Sequence, residues 1–102
     1  DKGAEVNSRY AEGTALILAA YKGHTGIVKM LLDRGADVDA RDKDGMTALM
    51  FAAQEGRPDI LRLLVDRGAG VDLDNREGYT ALNMAGSRPE IADMLRKAGA
   101  KE

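Results

Sequence analysis

The sequence predicts an all-α repeat solenoid, a stack of helix-turn-helix units with projecting β-hairpin-like connectors, and three observations carry that expectation. Thr14, Thr47 and Thr80 each open the tripeptide Thr-Ala-Leu at equal steps (47−14 = 33 and 80−47 = 33). The pairs Gly35-Ala36 and Gly68-Ala69 stand the same distance apart (68−35 = 33). Within a unit, Ile27, Met30 and Leu31, and again Ile60, Leu63 and Leu64, recur at spacings of three and four, which gathers them on one helical face. A fixed period of this length means units that bury their apolar faces against one another rather than a single closed core.

In chain order, residues 1–9 read as the end of a partial repeat, because DKGAEVNSR matches DRGADVDAR at Asp33 to Arg41 almost letter for letter. The expectation is that further repeats precede it in a parent chain. A repeat follows over 10–41, another over 42–74, and a shortened C-terminal capping repeat over 75–102, all within one domain spanning 1–102. Each repeat holds a first helix with a core leucine (Leu16, Leu49 or Leu82), a glycine-bearing turn, and a longer second helix. Thr14, Thr47 and Thr80 are suited to cap the first helix, each contributing about 0.5–2 kcal/mol over alanine. The small pairs Ala19-Ala20 and Ala52-Ala53 allow a neighbouring helix to approach closely. Val28, Leu32, Leu61 and Val65 widen the apolar face of the second helix. Pro58 and Pro89 suit its first turn, where a missing N–H costs nothing, and Gly35, Gly68 and Gly99 suit its end. The polar runs between repeats, such as Asp37 to Met46, read as a short extended segment, a tight turn at Asp44-Gly45 and a short return.

The composition excludes several classes of function. With 44% apolar and 31% charged residues the chain has the make-up of an ordinary soluble domain. No apolar run approaches the length of a membrane span, and the first residues lack the basic and apolar segments of a signal peptide. The chain is expected to be soluble, and its compartment is left open, with the cytoplasm slightly favoured. The absence of cysteine removes disulfides and thiolate chemistry. A net charge of −2 with interleaved signs argues against nucleic acid or an anionic membrane as partner.

No catalytic constellation is present, and the chain is read as non-enzymatic, without cofactor or metal. Setting Gly45 at the glycine of a calcium loop puts Ala40 at the first ligand and Phe51 at the bidentate position, so the acidic connectors are turn formers. His24, the one histidine, has no second histidine, cysteine or nucleophile motif beside it and is expected to hydrogen-bond at a helix start. No glycine loop of phosphate-binding spacing occurs. Of the five methionines, Met30, Met50, Met84 and Met94 fall at core spacing, whereas Met46 falls on a connector. Together with Tyr10 and Tyr79 at neighbouring connectors it suggests an amphipathic contact strip along the tips.

Asp44-Gly45-Met46-Thr47-Ala48-Leu49, followed by Ala52-Ala53, Gly56, Ile60, Leu63-Leu64 and Gly68-Ala69, resembles an ankyrin repeat. Gly23-His24 and Gly35-Ala36-Asp37-Val38-Asp39-Ala40 strengthen the resemblance in the first unit. The family's usual proline after the threonine and its histidine two residues later are replaced by Ala15, Ala48 and Ala81, then Ile17, Met50 and Asn83. That puts the usual threonine–histidine network in doubt. Asn83, Gly86, Ala92 and Arg96 stand where the preceding unit has Met50, Ala53, Leu61 and Val65, the pattern of a terminal cap. With no cap at the other end, Ile17 and its neighbours are expected to be more exposed than in a longer parent array.

The resemblance implies a curved solenoid whose connector tips and first-helix face form a concave recognition surface for a protein or peptide, the chain itself being a monomer. Carried onto matching positions, the partner-binding candidates on the connectors are Tyr10, Glu12, Arg41, Lys43, Asp44, Met46, Asp74, Arg76, Glu77 and Tyr79. Tyr21, Lys22, Gln54, Glu55 and Ser87 join them from the ends of the first helices. The other reading is a structural or capping segment of a longer ankyrin array, or a regulatory domain attached to a catalytic chain.

Overall fold

A computed structural model describes residues 13–101; Tyr10, Glu12 and the partial repeat 1–9 lie outside the described residues. Six helices follow in order: α1 over 13–22, α2 Thr25–Asp33, α3 Ala48–Gln54, α4 Pro58–Asp66, α5 Ala81–Ala85 and α6 Pro89–Lys97. Within a repeat α3 packs on α4 and α5 on α6. The short inner helix α3 packs on α5, while the outer helices stack α2 on α4 and α4 on α6.

Sequence explains the helix ends. Thr47 and Thr80 are extended residues before α3 and α5, and their hydroxyls accept the Met50 and Asn83 amides at 3.3 Å. The return bonds run from the Thr47 amide to Met50 Sδ (3.5 Å) and from the Thr80 amide to Asn83 Oδ1 (2.8 Å). A thioether and an amide thus complete a reciprocal cap at the position where the family usually carries histidine. Thr14 differs from the expectation, since residue 13 is already helical. Pro58 and Pro89 open α4 and α6 as expected. His24 precedes α2 without a side-chain cap, correcting the expected helix-start hydrogen bond; its backbone alone is engaged, donating to the Ala19 carbonyl at 2.9 Å.

The outer helices end in one repeated way. The Gly35 amide donates to Leu32 O and the Ala36 amide to Leu31 O, both at 3.0 Å, and the same two bonds recur at Gly68-Ala69 and Gly99-Ala100. These glycines are left-handed, which closes the helix with its last carbonyls satisfied. The alanine that follows tucks under its own helix, Ala36 and Ala69 being buried.

Leu16, Leu49, Ile60, Leu61, Leu64 and Leu95 form the centre of the core, and Ala19, Ala20, Ala52 and Ala53 are buried in the same cluster. In the first repeat Ile17 is buried, whereas Leu18, Ile27 and Met30 are exposed. At the other end Asn83, Gly86 and Arg96 face solvent and Ala92 is buried.

The connectors are turns with a single antiparallel bridge, Asp74 to Thr80, among the described residues. Acidic and amide side chains build them. Asp42 Oδ1 accepts the Asp44 and Met46 amides at 2.9 Å, and Asn75 Oδ1 accepts the Glu77 and Tyr79 amides at 2.9 and 3.0 Å. Other bonds link one repeat to the next. Asp39 accepts from the Gly70 amide (2.9 Å), Asp72 from the Lys101 amide (3.0 Å), and the Arg76 amide donates to Asp44 O (3.0 Å). Arg57 and Arg88, at the starts of α4 and α6, reach back to Tyr21 O and Gln54 O at the ends of α1 and α3. Arg67 also pairs with Asp33, which Lys29 meets at 3.2 Å. Those hydrogen bonds, from Arg67 first and Lys29 second, hold the Asp33 carboxyl below its ordinary range.

Candidate partner-binding groove

The inner helices leave one apolar groove between the first two repeats. Ile17, Leu18 and Tyr21 of α1 and Phe51 of α3 line it together with Thr14, Gln54 and Asp42, around a volume of about 530 Å³. Helical spacing creates this wall: positions 14, 17, 18 and 21 step by three, one and three along α1 and share a face. The Tyr21 and Phe51 rings meet edge to face at a centroid distance of 5.4 Å and 72° between planes, which holds both side chains. Leu18 is nevertheless 53% exposed and Tyr21 45% exposed, so the groove presents apolar surface to solvent.

Of the residues singled out from sequence, the groove brings together Tyr21 and Gln54. Lys22 is exposed one residue beyond Tyr21, and Glu55 is half-buried, accepting from Gln54 Nε2 at 3.1 Å. Lys43, Asp44, Arg76 and Glu77 are exposed at the connector tips, where the Asp44 carbonyl and Arg76 amide tie adjacent tips together. Arg41 is exposed, but its Nη1 donates to Asp74 O at 2.9 Å, so its guanidinium is partly committed to joining connectors. Tyr79 is 51% exposed and Ser87 lies exposed in the turn after α5; neither lines the groove.

Met46 is the clear difference from the expected strip of tips. It is 7% exposed, and its Sδ accepts from Asn75 Nδ2 at 3.4 Å. The turn at Asp42 draws the Met46 amide inward, and the thioether follows beneath the next connector. Sequence reasoning also missed Leu18, Phe51 and Asp42. The signal lay in the period: Leu18 and Phe51 are 33 apart (51−18) and flank the alanine pairs, and Phe51 is the chain's one phenylalanine.

No group of metal-ligating side chains occurs among the described residues, and no described helix is long and apolar enough to cross a membrane. A family model of ankyrin repeats in three copies matches residues 16–102. The chain belongs to the ankyrin repeat family. Repeats of this family are protein-interaction modules. Among curated proteins, 50 residues are 46% identical to the human ankyrin repeat and KH domain-containing protein 1, covering 46% of this chain and 2% of that protein. Over 47 residues the chain is 47% identical to the E3 ubiquitin-protein ligase hecd-1 of Caenorhabditis elegans, covering 46% of this chain and 2% of the ligase. Over 44 residues it is 43% identical to mouse protein phosphatase 1 regulatory subunit 12A, covering 43% of this chain and 4% of the subunit. The matches thus span only a few per cent of the length of these relatives.

Proposed function

We propose that this ankyrin domain is a non-enzymatic, monomeric protein-binding module that takes a protein or peptide along the inner-helix groove and the adjoining connector tips. The observation that carries the reading is the solvent-facing cluster of Leu18 and Tyr21 over Phe51, apolar surface that the fold leaves open. A ring held by its neighbour loses little freedom on contact, so binding energy is not spent on ordering it. Exposed Lys22, Lys43, Asp44, Arg76, Glu77 and Tyr79 would steer and orient a partner around that centre.

The test is affinity capture from source-cell lysate with the wild-type domain and a Tyr21→Ala/Gln54→Ala/Tyr79→Ala variant of matched melting temperature. A protein held by the first and lost by the second supports the reading; equal capture by both, or capture by neither, overturns it. A capping role within a longer array finds support in the exposed Asn83, Gly86 and Arg96 of the last repeat. A regulatory segment on a catalytic chain finds support in the phosphatase regulatory subunit and the ubiquitin ligase among the relatives.

A further inference from the structure

Asp42 and Asn75 occupy equivalent positions one period apart (75−42 = 33), and each uses one oxygen for the same pair of turn amides. They differ in the second atom of the side chain. In Asn75 it is the amide nitrogen, which donates to Met46 Sδ. In Asp42 the corresponding atom is a carboxylate oxygen, and the residue one period before Met46 is Gly13 (46−33 = 13), which has no side chain to meet it. Half-buried Asp42 instead lines the groove with Leu18, Tyr21 and Phe51, and among the described residues it is the one carboxylate in that lining.

An apolar slot with an aspartate in its lining is complementary to a large apolar side chain next to a cation. Resting on the groove being the partner-binding surface, we infer that it seats an aromatic or large aliphatic residue of a protein segment whose adjacent arginine or lysine reaches Asp42. A volume of about 530 Å³ accommodates such a side chain with part of the neighbouring one. Burial of the apolar residue supplies most of the affinity, and the cation sets orientation and preference. The acid is not required by the turn, since Asn75 builds the same turn with an amide.

The probes are three blocked peptides titrated into the full 102-residue chain and followed by backbone amide shifts: acetyl-Gly-Gly-Phe-Arg-Gly-Gly-amide, the same with Ala for Phe, and the same with Glu for Arg. The Phe-Arg peptide is expected to shift Leu18, Tyr21, Phe51 and Gln54 saturably. Loss of the ring should weaken binding roughly tenfold or more, and exchange of the cation for Glu roughly threefold or more. In Asp42→Asn the Phe-Arg and Phe-Glu peptides should bind alike, with amide shifts outside the 42–46 turn unchanged in the free protein. Equal binding of Phe-Arg and Phe-Glu to the wild type overturns the role of Asp42. Shifts centred elsewhere, or none with any peptide, overturn the assignment of the groove to this side-chain pair. Those failures are separable from failure of the binding-module reading, which lysate capture by the triple variant decides.

Discussion

Gly45 and Gly78 hold the same left-handed turn, with φ of +78° and +83°, but a Cβ on Gly45 would stand 3.1 Å from the Arg76 nitrogen and 3.2 Å from Asn75 Cα. Nothing lies within 4 Å of the corresponding point on Gly78. Alanine at either site costs about 1–2 kcal/mol for the left-handed backbone. At Gly45 the neighbouring connector must also withdraw, loosening the bond from the Arg76 amide to Asp44 O. Gly45→Ala is therefore expected to destabilise by about 1 kcal/mol more than Gly78→Ala in urea unfolding; equal losses would mean that the tips do not press on each other. Sequence alone places a turn at Asp44-Gly45, because Asp-Gly favours one locally. The crowding belongs to a residue one period away and has no local signature. Met46 shows the same limit: its polar surroundings suggest a tip, while Asp42 and Asn75 together fold it under.

At the scale of elements, the helix pairs and their ends were legible because each is set by short-range chemistry: Pro58 and Pro89 at helix starts, Gly35 and Gly68 at helix ends, Thr47 and Thr80 at caps. Thr47→Ala should cost about 1 kcal/mol by removing the acceptor for the Met50 amide, measured by the same urea transition. Contacts that join α2 to α4 were not legible, since a carboxylate on a surface helix has many possible partners. Asp33 meets Lys29 on its own helix and Arg67 just past α4. Its carboxyl is held below the ordinary value of 3.8 by these partners. A folded-state pKa below the unfolded one contributes stability above the unfolded value, and that contribution is lost as pH falls through the folded value. Carboxyl-carbon NMR should therefore give Asp33 a midpoint below 3.8, moving upward in Arg67→Ala. An unmoved midpoint would remove Arg67 as the main cause.

Across the whole molecule, position in the stack decides what an identical residue is worth. Ile27 and Ile60 are one period apart (60−27 = 33) in the same register of α2 and α4. Ile60 is 1% exposed in α4, which packs against both α2 and α6, whereas Ile27 is 44% exposed on α2. In a solenoid each unit draws its stability from its neighbours, so the covered copy of a position contributes far more than the open one. Truncating a buried isoleucine removes its transfer free energy and leaves a cavity, about 2–5 kcal/mol in all, and Ile60→Ala should fall in that range. Ile27→Ala leaves no enclosed cavity and removes partly hydrated methyls, so about 1 kcal/mol or less is expected. Urea unfolding of the two variants against the wild type checks the difference directly. Comparable losses would show that Ile27 is covered in solution.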